Sequence, residues 1–144
     1  MLFVEQEYIS DSEKETFIKG LVLIELVDGV ISPSETIFIY NRAKLLDVPL
    51  DIVDKFILSF HEINIEKELK SIKFSDQHKA VYFLTQAVML GYQDGHYTED
   101  EIQAMRVIAE TNGIEKFTLS MIEALAKLED SITLERNKIL DSYL

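Results

Sequence analysis

One eight-residue pattern occurs twice, and it constrains the fold more than any other feature. Asp28-Gly29 is followed by Ser32 and Glu35, and Asp94-Gly95 is followed by Thr98 and Glu101, 66 residues further on. At the same offset Phe17 matches Phe83, Val22 matches Val88 and Ala43 matches Ala109. The matches fall where local structure demands particular residues. A glycine past a helix end takes the left-handed C′ position. A Ser or Thr three residues before a Glu forms a capping box at the start of the next helix. The chain therefore reads as a duplicated helix–turn–helix packed with an approximate two-fold. The units span about residues 12–60 and 75–128, within one domain of residues 1–144.

The remaining punctuation gives an all-α chain of seven to eight helices. Five glycines and two prolines interrupt 144 residues, with no Asn-Gly hairpin signal and no sustained alternation. Ser12 and Glu15 form a capping box for a helix over 12–27. Ser32, with Pro33 at the first turn, opens one over 32–46. Further helices follow over 51–60, 65–71 and 75–92, and Thr98 opens one over 98–112. Separate segments over 117–128 and 131–143 complete the set. Leu21 to Ile24 with Val27, and Ala80 to Leu90, are apolar nearly all round, which marks the two helices that lead into the DG turns as central.

Composition excludes several classes of function. With 26 Asp+Glu against 14 Lys+Arg the net charge is −12, the wrong sign for tracking phosphates on nucleic acid or docking on an anionic membrane. The absence of cysteine removes disulfides, thiolate zinc sites and cysteine nucleophiles. No run of apolar residues spans a bilayer and none resembles a signal peptide, so a soluble, cytoplasmic protein is expected. His61, His78 and His96 lack metal-ligand spacing, and no nucleophile elbow, P-loop or dinucleotide fingerprint occurs. No enzyme activity is expected.

Asp28, Glu35, Asp94 and Glu101 are the candidate metal ligands, for Ca²⁺ or Mg²⁺, hard cations that take oxygen ligands. The pattern mimics the second half of an EF-hand loop. That loop also needs Asp or Asn at its first and third positions, where this chain has Ile24 and Leu26, then Leu90 and Tyr92. It is not an EF-hand. The ordinary structural reading competes with metal binding: the glutamates complete capping boxes, and the aspartates fold back on their own turns. Arg42 and Arg106 are alternative partners for the aspartates. Glu25 is the odd acid in an apolar turn, and burying an acid is costly unless it is paired. The acidic first turns at Glu13 to Glu15 and Glu99 to Glu101 offer a face for a basic protein partner.

The stretches Ile24 to Glu35 and Leu90 to Glu101 resemble the TerB-like family, all-helical domains named for a tellurite-resistance protein. A similar domain forms the N-terminal cytoplasmic part of a DnaJ-like membrane co-chaperone. The resemblance covers about residues 12–128. It departs at Val27, where alanine is usual, and at the corresponding Gln93. It implies a non-enzymatic adaptor in a bacterial stress or metal-resistance response, docking a protein partner, with acidic surfaces for divalent metal.

Overall fold

A computed structural model describes residues 9–29, 31–59, 64–93 and 97–143. Phe60, His61, Asp94, Gly95 and His96 lie outside the described residues. Among the described residues the secondary structure is helical throughout. A 3₁₀ turn, Asp11–Glu13, leads into α1 (Lys14–Leu26). Then come α2 (Pro33–Leu45), α3 (Leu50–Leu58), α4 (Ile65–Lys70), α5 (Gln77–Gln93), α6 (Glu99–Thr111) and α7 (Lys116–Asp141).

The two interior capping boxes form as their sequences dictate. Ser32 accepts from the Glu35 N–H while Glu35 accepts from the Ser32 N–H, and Thr98 and Glu101 repeat the exchange. The expected box at Ser12 and Glu15 does not form. Ser10, just upstream, caps the 3₁₀ turn, and its hydroxyl donates to Glu13 Oε1 at 2.8 Å. The helix α5 starts two residues later than expected, because Asp76 rather than Ser75 accepts the Lys79 N–H, at 2.8 Å. The break expected near residue 130 is absent, and one helix runs from Lys116 to Asp141. Neither Gly nor Pro stands there, and the Ser131 hydroxyl donates back to the Lys127 carbonyl instead of capping a new start.

The duplication continues beyond the capping boxes. Helix α2 ends with Val48 N–H donating to Ala43 O at 2.8 Å and Asp47 N–H donating to Lys44 O at 3.2 Å. Helix α6 ends with Ile114 N–H on Ala109 O at 2.8 Å and Gly113 N–H on Glu110 O at 3.1 Å. These are two Schellman motifs in register. The left-handed C′ residue is Gly113 (φ 71°) in the second and Asp47 (φ 58°) in the first. Gly29 also has the positive φ, 87°, required where α1 stops.

Packing follows the repeat. Helices α1, α2 and α3 contact one another, as do α5, α6 and α7. Gly20 to Leu26 form an unbroken buried stretch of α1, as all-round apolarity requires. Helix α5 is buried on most of its circumference, with Val81, Thr85 and Met89 half-buried along one stripe. Phe17 and Phe83 meet edge-to-face with ring centroids 5.3 Å apart. A Cβ on Gly20 would fall 2.6 Å from Phe83 Cζ, so only glycine lets α1 approach this ring. Between the halves, the Asn112 amide donates to Ile72 O at 2.8 Å and accepts from Phe74 N–H at 2.9 Å, tying the connecting segment to the end of α6.

Candidate metal centre

Three glutamates from three helices converge inside the protein. Glu25 stands in the last turn of α1, while Glu35 and Glu101 are the third residues of α2 and α6. One carboxylate oxygen from each lies within 4.8 Å of the others. Exposure is 1% for Glu25, 7% for Glu35 and 2% for Glu101.

The capping boxes aim two of these side chains. The Ser32 N–H donates to Glu35 Oε1 at 2.7 Å. The Thr98 N–H and hydroxyl donate to Glu101 Oε1 at 3.1 and 3.0 Å. Both carboxylates also sit at helix N-termini, where the macrodipole favours negative charge. Glu25 has neither advantage. It lies at a helix C-terminus, where the dipole opposes an anion. Among the described residues neither of its oxygens receives a hydrogen bond.

In the second copy Gly91 stands where the first has Glu25. A Cβ there would lie 2.8 Å from Tyr97 Cδ1, so the Tyr97 ring takes the space of a fourth acid. Burial raises the Tyr97 phenol far above its ordinary pKa, and the charges of Glu123 and, to a lesser extent, Glu101 reinforce the shift. It stays a neutral phenol beside the cluster.

Of the four ligands read from the sequence, Glu35 and Glu101 belong to this cluster. Asp28 is exposed and lies outside it, and Asp94 is not among the described residues. The glutamates gather with each other across the duplication and with Glu25. Two signals pointed there. One was the isolated acid in the most apolar turn. The other was the repeat itself, since residues near a local two-fold meet their own counterparts. Arg42 stacks over the Phe38 ring at 4.8 Å, and Arg106 is exposed.

Comparison with solved structures finds the same architecture in a tellurite resistance protein from Nostoc punctiforme. The match covers 92% of this chain and 82% of that one, with a TM-score of 0.62 and 20% sequence identity. The chain has the fold of a tellurite resistance protein. No family model and no curated protein sequence matches it. The TerB-like architecture expected from the paired DG motifs is the one observed. In this TerB-like fold the paired capping boxes place their glutamates side by side at the centre. No helix among the described residues is long and apolar enough to cross a membrane.

Proposed function

We propose that this TerB-like domain is a binding module, not an enzyme, that holds a divalent cation, Ca²⁺ or Mg²⁺, among Glu25, Glu35 and Glu101. The observation that carries the reading is Glu25: it is 1% exposed, its oxygens lack hydrogen bonds among the described residues, and two further carboxylates face it. Like charges packed this closely repel, and a buried carboxylate is costly without compensation. A hard cation compensates all three at once. An ion equidistant from three oxygens 4.8 Å apart stands about 2.8 Å from each, against about 2.3–2.6 Å for calcium and about 2.0–2.1 Å for magnesium. At that limit of its spacing the cluster reaches calcium distances with a small inward movement and magnesium distances with a larger one.

The structural neighbour is a tellurite resistance protein, which supports a setting in a bacterial resistance response; docking of a protein partner by the cation-loaded domain is part of the same proposal. Calorimetric titration with CaCl₂ and MgCl₂ tests the metal reading. Saturable one-site binding with a dissociation constant of ~10⁻⁴–10⁻³ M is expected. At 10 mM Ca²⁺ and a constant near 10⁻⁴ M, the linked stabilisation is about 2.7 kcal/mol. For a chain of this size that is a rise in melting temperature of about 5–10 °C. A flat titration with both ions and no shift in the melt overturns the reading.

A further inference from the structure

The C-terminal half of α7 has no core of its own. Ala126 is the last buried residue of the helix, and every residue from Ser131 to Tyr143 is exposed. An isolated helix of this length is marginal in water. Yet Met121, Leu125, Leu128, Ile132 and Ile139 recur at steps of three, four or seven, the a/d spacing of a helix–helix seam. Each is between 49% and 62% exposed. Beside the buried half of the same helix runs an open, mainly apolar groove of about 790 Å³. It lies between Val81, Thr85 and Met89 of α5 and Ile122, Leu125 and Glu129 of α7. Leu125 belongs to both groove and seam, so the two surfaces are continuous.

We propose that these surfaces are the two halves of one self-complementary interface. Helix α7 of one copy lies antiparallel on α7 of a second copy, and its exposed end covers the partner's groove. Direction follows from charge. The half of the helix from Lys116 to Leu128 carries Lys116, Glu123 and Lys127, a net charge of +1, and the half from Glu129 to Asp141 carries Glu129, Asp130, Glu135, Arg136, Lys138 and Asp141, a net charge of −2. The antiparallel arrangement sets each weakly basic half against an acidic one, whereas a parallel one stacks the acidic halves on each other. A parallel pair would stack Glu135 on its own copy within the seam, and like charges there are destabilising. Size points the same way. A seam over residues 121–139 is only about 28 Å long. That is short for the roughly 800 Å² each partner of a stable dimer buries, and the groove supplies the missing apolar surface. A two-fold dimer of this kind uses both surfaces twice and leaves neither open. The glutamate cluster takes no part in it.

The test is light scattering on the full chain across a dilution series. The mass should move between 16.6 kDa and twice that value. Ile132→Glu with Ile139→Glu, both exposed positions, should hold the protein at the lower mass with its cooperative melt intact and no more far-UV helix signal lost than the exposed end of α7 supplies. The chain has no native cysteine, so introduced thiols report direction. Tyr143→Cys should cross-link to Thr118→Cys in a mixture and not to itself. A monomer at every attainable concentration overturns the proposal, as does a dimer indifferent to the double substitution. Tyr143→Cys linking to itself overturns the antiparallel arrangement.

Discussion

Glu35 and Glu101 are the same residue of two copies of one motif, and each places a carboxylate oxygen within 4.8 Å of the other. Phe17 and Phe83, also counterparts, touch edge-to-face. A residue meets its own copy only beside the axis that relates them. Two such pairs are what an approximate two-fold running from the apolar centre to the acidic cluster would produce. Duplication explains why a costly arrangement arises: one capping box places one glutamate at a helix start, and a second copy across a two-fold brings its twin beside it. Glu25 breaks the symmetry, because Gly91 and the ring of Tyr97 fill the corresponding place.

That asymmetry gives the first prediction. Glu25→Gln removes one charge from the cluster and keeps the size of the side chain. Without metal the variant should melt at or above the wild-type temperature, since a buried carboxylate facing two others is relieved. With 10 mM Ca²⁺ it should lose most of the rise in melting temperature seen in the wild type. Thermal melts of both proteins with and without Ca²⁺ decide it. If the variant is destabilised by more than ~2 kcal/mol without metal, Glu25 is held by partners in the fold and not by a cation.

The second prediction comes from the unequal Schellman motifs. Gly113 occupies the left-handed position at no steric cost, whereas Asp47 has φ 58° with a Cβ to accommodate. Asp47 is exposed, so its replacement leaves the core untouched. Asp47→Gly should raise stability by about 0.5–1 kcal/mol, despite the greater freedom glycine gives the unfolded chain. The reverse change is unfavourable: Gly113→Ala places a Cβ 3.1 Å from Gln77 Nε2 at positive φ, and should cost about 1–2 kcal/mol. Urea unfolding of the two variants measures both. Equal effects of the same sign would show that C′ geometry does not set these energies.

Much of this fold is legible in the residues, and the reason is local. Ser32-Pro33-x-Glu35 and Thr98-x-x-Glu101 carry their structural instruction within four positions, and both boxes form as written. Gly29 and Gly113 likewise mark their own turns. Where two polar residues compete for one role, the sequence is ambiguous. Asp76 displaces Ser75 because its carboxylate reaches the Lys79 N–H, and Ser10 takes the place of Ser12 through its backbone carbonyl, which accepts the Glu13 N–H. The unbroken α7 was hidden for a related reason: Glu129, Asp130 and Ser131 suit a helix start and an exposed helix face equally well. The cluster is harder still. Pairing Asp28 with Glu35 uses spacing along the chain, whereas Glu35 and Glu101 meet through tertiary symmetry. Only the apolar surroundings of Glu25 announced the third member.

The third prediction concerns charge at large. With a net charge of −12, no saturable binding to duplex DNA should be measured at about 150 mM salt. Retardation of a labelled duplex that titrates with protein and weakens with added salt would contradict it.

The fourth concerns Glu13, which ties the start of α1 to the start of α5. Its carboxylate accepts from the Ser75 N–H at 2.9 Å, from the Ser10 hydroxyl at 2.8 Å and from Lys79 Nζ at 3.3 Å. Burial alone would raise its pKa, but the hydrogen bonds from Ser75, Ser10 and Lys79 outweigh it and bring the group from 4.5 down to about 2. A depressed folded pKa means the unfolded chain takes up the proton first as pH falls. The stabilisation is therefore complete above the unfolded pKa and disappears as pH drops from 4.5 towards 2. Glu13→Gln should cost about 1–3 kcal/mol at pH 7, the worth of a hydrogen-bonded charge. The gap between variant and wild type should shrink steadily below pH 4.5 and nearly close near pH 2. Comparing the two proteins by urea unfolding at each pH isolates this group, because other carboxylates titrate alike in both. A gap that stays constant from pH 7 to pH 2.5 would mean that shape, not charge, makes Glu13 stabilising. The link between the 3₁₀ turn and α5 would then rest on packing alone.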